Sequence, residues 1–364
     1  VYQRPQHLMS RFRKYHRVFI VEEPIYDAPS PYNVVHEDRQ SGVSVVVPHL
    51  PQEAAGDVEA QRALLDLFIQ SKDIKNFIAW YYSPLALAFS SHLEPAVTIY
   101  DCMDELSGFK FASPSLKYFE DLLFEKADIV FTGGYHLYEA KKNKHHNIHA
   151  FPSSIDKSHF ERARLIEQQP EDQAMIPGPR IGFYGVIDER LDIALLADLA
   201  GIKPQYHFIL IGPVVKIDPD TLPRRDNIHY LGQKSYKELP EYLGGWDMAM
   251  MPFARNEATE FISPTKTPEF LAAGKPVVST AIHDVVKPYG ELELVAIADT
   301  APEFAEAIES SLQNKNDSGR LEKVDAFLGN ISWNNTWQGM AQLIGLALEK
   351  KKLITDTKNK GTYV

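Results

Sequence analysis

The sequence predicts an α/β protein of two Rossmann-like domains, each built on a parallel sheet. Three observations carry that expectation. The chain has 364 residues, and at roughly 100 to 200 residues per domain this length suits two domains better than one. Short β-branched or aromatic runs alternate with helix-like stretches twice, once on each side of a polar segment at 161–179. The composition is globular, with 44% apolar and 11% aromatic residues, enough to bury a core in each domain.

The first alternation places strands at 17–22, 43–47, 76–81, 97–100 and 128–132. Helices are expected at 6–15, 59–71 and 115–126, the last with Leu116, Phe119, Leu122 and Leu123 at helical spacing. Such a sheet is parallel, covered by helices on both faces, and presents ligands with the carboxyl ends of its strands. Segment 161–179, with Gln168, Gln169, Pro170 and then Pro177-Gly178-Pro179, reads as the interdomain linker. Beyond it, strands are expected at 180–184, 207–211, 228–231, 248–251, 276–279 and 294–297. Residues 333–352 read as one helix, with Trp337, Met340, Leu343, Ile344 and Ala347 apolar and Lys350, Lys351 and Lys352 in a last turn that suits cations. The expected division is a first domain at 1–160, a linker at 161–179, a second domain at 180–330, a helix at 331–352 returning to the first domain, and a tail at 353–364. The chain opens on Val1 without a signal-like segment, so it is expected to begin inside a longer sequence that supplies a first strand.

Charge and cysteine usage remove several classes. Lys plus Arg total 38 against 49 for Asp plus Glu, and the net charge of −11 opposes binding to nucleic acid. A single cysteine, Cys102, allows no intrachain disulfide and points to a reducing, cytoplasmic setting. No run approaches the ~18 apolar residues of a membrane span. His145 and His146 lie in a basic segment, 141–146, without carboxylates or cysteines at ligand spacing, so no metal is expected. That segment is a solvated basic face, or else a contact with anionic lipid at the inner face of a membrane, worth roughly 1 kcal/mol per basic residue.

The most informative segment runs from Phe261 to Thr280, after the strand at 248–251. Ser263 is a good N-cap, Pro264 suits the first turn, Lys266 and Glu269 fall on neighbouring turns, and Gly274 with Pro276 stops the helix. Unpaired amides at a helix N-terminus, with Lys266 beside them, suit a diphosphate, and Glu269 suits the hydroxyls of a ribose. The alternative is a capped core helix with Lys266 in solvent.

Together with Trp246 to Phe253 before it, this segment resembles the donor site of GT-B glycosyltransferases, the retaining family-four type (glycosyl transferases group 1) in particular. Other pieces match in order: Phe183-Tyr-Gly-Val-Ile-Asp-Glu-Arg190, Leu210-Ile-Gly-Pro213, and Asn227-Ile-His-Tyr-Leu-Gly232. In the first half, Gln3 to Leu8, Tyr100 to Leu106 and Phe151 to Asp156 resemble a bacterial polysaccharide subgroup. The resemblance implies two domains facing each other across a deep cleft, a nucleotide-sugar donor (a UDP-sugar foremost), a carbohydrate or lipid-linked carbohydrate acceptor, and no cofactor. It implies donor contacts from Gly185, Arg190, Ser263, Pro264, Thr265, Lys266 and Glu269. Two departures stand out. Eight positions before Glu269, where the family has a second glutamate, this chain has Phe261, with Glu257 and Glu260 nearby; and Gly185-Val186-Ile187 leaves Arg190 as the basic group of its loop. The alternative for Arg190 is a salt bridge to Asp188, Glu189 or Asp192.

In the first domain, Asp101 and Asp104 follow the strand at 97–100 and are the candidate catalytic carboxylates, Asp101 being nearer the expected strand end. The family pattern has a histidine and an aspartate here; Met103 takes the histidine position and Asp104 the aspartate. An inverting transfer needs a carboxylate base, whereas a retaining one relies on donor phosphate, and the sequence leaves both open. Capping of the following turn is the alternative for both residues. Arg4 and His7, at the start of the first helix, are candidates for acceptor contacts, with a structural hydrogen bond the alternative for His7. Trp80, Tyr81 and Tyr82 suit sugar stacking or core packing. The expected function is sugar transfer in surface-polysaccharide synthesis; a nucleotide-sugar epimerase and a non-catalytic carbohydrate-binding protein are the alternatives.

Overall fold

The computed structural model describes residues 3–39, 41–314 and 318–360. In the first half, strands β1 (Phe19–Val21), β2 (Tyr32–Glu37) and β3 (Ser44–His49) form a small sheet in the order β1-β3-β2, and β4 (Ile78–Tyr81), β5 (Val97–Cys102), β6 (Ile129–Thr132) and β7 (Ile148–Ala150) form a parallel sheet in sequence order. In the second half, β8 (Arg180–Tyr184), β9 (His207–Ile211), β10 (Ile228–Tyr230), β11 (Met248–Met251), β12 (Val277–Ser279) and β13 (Ala296–Ile297) make one parallel sheet in the order β10-β9-β8-β11-β12-β13. The chain moves outward from β8 in one direction through β9 and β10, then returns to β8's other side for β11. The strand order reverses between β8 and β11, and open α/β sheets bind their ligands outside the carboxyl ends of the strands at such a point.

Five helices matter for the site: α1 (Arg4–Phe12), α2 (Leu116–Lys126), α3 (Tyr135–Lys141), α4 (Lys266–Ala272) and α5 (Trp333–Lys360). Each half has its own core. That of the second half gathers Phe183, Phe208, Trp246, Phe270 and Phe304 around its sheet. In the first half, Leu8 and Met9 of α1 pack with Val97, Ile99, Ile129 and Phe131 and with Trp333, Met340, Ile344 and Ala347 of α5. The last helix thus leaves the second half and covers the first, and Lys351 Nζ lies 2.7 Å from Asp128.

The structure departs from the sequence expectations in several places, among them the unforeseen strand β7 at the edge of the parallel sheet of the first half. β2 is an unforeseen edge strand, antiparallel to β3, so the first half holds two sheets rather than one wholly parallel sheet. Segment 161–179 is folded against the second half: Ala163 and Ile176 are in its core, and buried Gln173 accepts the Trp246 indole N–H at 2.8 Å while donating to Tyr242 O. Its polar composition hides the few side chains that dock. Helix α5 runs on to Lys360 rather than ending at Lys352, and residues 361–364 of the expected tail lie outside the described residues. Among the described residues, no helix is long and apolar enough to cross a membrane.

Candidate active site

The second half supplies the more open set of polar groups. Chain leaving β8 passes through Tyr184 to Gly185, whose φ of +151° suits glycine. Across Gly185 lies the arm of Lys266, the first residue of α4, so close that a Cβ at 185 would overlap Lys266 Cε. Among the described residues, no hydrogen-bond or ion-pair partner holds Lys266 Nζ. Burial pulls its pKa down, and Glu269 opposes that shift. One turn on, Glu269 Oε2 accepts a 2.5 Å bond from the Tyr184 hydroxyl, and burial pushes its carboxyl up to about 7. The ammonium and the carboxyl, each on a half-buried residue, therefore keep spare hydrogen-bonding capacity beside Gly185 and Tyr184.

Ser263, Pro264 and Thr265 lead into α4 differently from the expected capped start. Pro268 has no N–H to give Pro264 O, so the turn closes through Thr267 N at 3.3 Å, and regular helix begins at Lys266 with Thr265 as its uncapped N-cap. Ser263 is drawn the other way: its carbonyl accepts Ser153 Oγ of the first half at 2.7 Å. Arg190 realises the alternative reading, since Nε and Nη2 hold buried Asp188, at 2.7 Å for the Nη2 contact. Its guanidinium carbon also lies 5.7 Å from the Phe109 ring of the first half, which Lys216 Nζ approaches to 5.3 Å. Arg190 is thus held by Asp188 while remaining at the cleft.

In the first half, the candidates separate. Asp101 is completely buried and belongs to Arg4: the guanidinium Nε reaches both carboxylate oxygens at 3.1 Å, Nη2 reaches Oδ1 at 2.8 Å, and Nη1 donates to Phe151 O at 2.6 Å. This corrects two expectations. Strand β5 extends to Cys102, so Asp101 remains inside it, where it binds α1 to the sheet; it offers no base to the cleft, and Arg4 has no free face for an acceptor. His7 is also corrected. It is 6% exposed, stacked on Trp333 at 4.6 Å with Tyr236 edge-on at 6.2 Å, and its pKa is pulled down to about 3, chiefly by burial.

Asp104 lies beyond the strand and is half-buried, and among the described residues no hydrogen-bond donor engages its carboxylate. Burial raises its pKa, and the charges of Arg190 in the second half and Arg4 in the first oppose that shift. Trp80, Tyr81 and Tyr82 are packed inward: Trp80 meets Phe12 at 5.3 Å, and Tyr81 shares a 2.9 Å bond with Ser90. The basic segment 141–146 spends its charge at home, with Lys141 on Glu105 and Glu120, Lys142 on Glu139 and Lys144 on Asp121.

Sequence reasoning missed Tyr184, Phe109 and Lys216. Only Tyr184 left a signal, as the aromatic residue between a strand and its glycine. The resulting arrangement has an ammonium suited to an anion, a carboxyl suited to hydroxyls, and an opposing carboxylate suited to taking a proton.

Comparisons with known proteins bear on the fold. Residues 178–314 match the family model described as glycosyl transferases group 1. A protein of Bacillus subtilis (strain 168) named, by inference, the teichuronic acid biosynthesis glycosyltransferase TuaH is 26% identical over 289 residues, covering 73% of this chain and 71% of that protein. Sucrose-phosphate synthase from Thermosynechococcus elongatus superposes with a TM-score of 0.69 at 14% identity, over 95% of this chain and 92% of that one. Anabaena Alr3699/HepE, in complex with UDP and glucose, gives a TM-score of 0.64 at 16% identity, over 84% and 87% of the two chains. These likenesses show that the fold is GT-B.

Proposed function

We propose that this chain, which has the GT-B fold and matches the glycosyl transferases group 1 family model over residues 178–314, is a glycosyltransferase that moves a sugar from a UDP-sugar to a carbohydrate or lipid-linked carbohydrate acceptor in surface-polysaccharide synthesis. The observation that carries the donor reading is the partnerless ammonium of Lys266 lying over Gly185, where the strand order reverses, with Glu269 one turn behind it. Lys266 holds the diphosphate and Glu269 accepts from the ribose hydroxyls. Arg190, anchored by Asp188, adds positive potential without a full bidentate grip to spare. Asp104 takes the acceptor proton from the opposite wall. The UDP bound by HepE supports the choice of base, and the name of the Bacillus relative supports the polysaccharide context.

Isothermal titration with UDP, GDP and their sugars tests this reading. UDP binding that weakens in Lys266→Ala is the expected outcome; a wild-type protein that binds no nucleotide overturns it. Incubation with donor alone separates transfer from epimerisation, because an epimerase converts the donor sugar without any acceptor.

A further inference from the structure

The second half reaches across the cleft through Asp284, a residue only 3% exposed. Its Oδ2 accepts the backbone N–H of Tyr135 and its Oδ1 that of His136, each at 2.9 Å, so its carboxylate closes the start of α3 in the other half. Gly134 makes room for it, since a Cβ there would stand 2.5 Å from Asp284 Oδ2. The contact is reinforced by His136, which stacks on His283 at 4.0 Å and on Phe261 at 4.9 Å. Phe261, which stands where the family has a glutamate, thus serves the join between the halves.

The other side of this unit grips the loop that carries Asp104. Gly133 N–H donates to Cys102 O at 2.8 Å, and Gly133 sits against Met103 O with no space for a side chain. From the last turn of α3, Lys141 Nζ reaches Glu105 Oε2 at 2.7 Å and Glu120 Oε1 at 2.6 Å, while Ser107 Oγ donates to Glu105 Oε1 at 2.6 Å. Asp104 therefore lies between two residues, Met103 and Glu105, that are each fixed by one end of the same short unit. The opposite half of the protein holds that unit by its backbone.

We propose that Asp284 is a positioning residue, which by capping α3 across the cleft fixes Met103 and Glu105 and thereby holds Asp104, the residue between them, in place. This rests on the reading of Asp104 as the proton acceptor. An asparagine at 284 keeps the size of the side chain, but its amide group cannot accept the second N–H, and both charge-assisted bonds are weakened. The consequence should pass along α3 to a loop that Asp284 does not touch.

Hydrogen exchange read by mass spectrometry tests this without substrate. In Asp284→Asn, exchange should rise about tenfold or more over 133–138 and also over 102–109, while 180–184 and 207–211 stay protected. Gly134→Ala, which displaces the carboxylate while leaving its charge, should give the same pattern and serves if the first variant is poorly folded. Faster exchange confined to 133–138, or wild-type protection in both segments, overturns the proposal. UDP affinity, measured alongside, should not change in Asp284→Asn, so a failure of the donor reading shows in the wild-type titration and a failure of the positioning shows in the exchange. Normal turnover in Asp104→Asn would remove the catalytic purpose of the positioning and overturn it too.

Discussion

The Lys266 side chain lies across Gly185, its Cε filling the space that a methyl group on residue 185 would need. One glycine after the end of β8 and one lysine at the start of α4 thus form a single feature. Lys266→Ala should weaken UDP binding by about 10- to 100-fold through loss of a charge-assisted phosphate contact. Gly185→Ala should weaken it as well, by pushing the ammonium out of place, although it deletes no polar atom. Titration calorimetry of both variants checks this; UDP affinity equal to wild type in Lys266→Ala would remove the lysine from the site.

Glu269 gives the protein a pH signature. Its carboxyl is pushed from an ordinary 4.5 to about 7 by burial, so between those values the folded state holds a proton that the unfolded chain has released. Stability from this group is complete below about pH 4.5 and is lost as pH rises to about 7, a change on the order of 3 kcal/mol. Glu269→Gln should flatten that part of the profile in urea unfolding. UDP affinity should run the other way, rising through pH 7 as the ionised carboxylate gains full capacity to accept from the ribose. Free pyrophosphate, which has no ribose, should show no such rise; if it does, the pairing of Glu269 with the sugar is wrong.

The two aspartates of one segment should fail in different ways. Asp101→Asn leaves the Arg4 guanidinium buried without its counter-charge, a loss of about 3–5 kcal/mol, and should appear as a lowered unfolding midpoint. Asp104→Asn breaks no described hydrogen bond, so it should keep its stability and its UDP affinity while turnover of a UDP-sugar falls. Near-normal turnover with a retained anomeric configuration in the product would assign proton removal to the donor phosphate instead.

What the sequence made legible was whatever lies close to a strand end within one sheet. Gly185, Lys266 and Glu269 stand near one another in the structure because β8 and β11 are neighbours and α4 follows β11 in the chain. Asp101 was misjudged because local sequence does not fix where a strand stops, and two further residues of β5 turned a presumed loop carboxylate into a buried ion pair. β2 escaped because Tyr32, Asn33, His36 and Glu37 dilute its two valines, and its partner β3 is set by tertiary pairing. Asp284 left no trace at all: its partners are backbone amides 148 and 149 positions away, and backbone amides have no sequence identity.

His7 should set the acid limit of the fold. Trp333, 2% exposed, begins the helix that crosses from the second half to the first, and its indole stacks on His7 at 4.6 Å with the planes 10° apart. Burial, aided by Arg11, pulls the imidazole down to about 3 from 6.5. The folded state therefore refuses a proton that the unfolded chain accepts, so this contribution is complete above about pH 6.5 and is lost as pH falls towards 3, on the order of 4 kcal/mol in all. His7→Phe keeps a flat ring against Trp333 and cannot titrate. It should cost about 1 kcal/mol at neutral pH by overfilling the space of the smaller imidazole, yet surpass the wild type near pH 4. Trp333→Ala, by contrast, should lose about 3–5 kcal/mol at every pH, because a large buried ring leaves a cavity whatever the protonation of its neighbour. Urea unfolding across that pH range distinguishes the two variants, and a His7→Phe protein with the same acid sensitivity as wild type would place the trigger elsewhere.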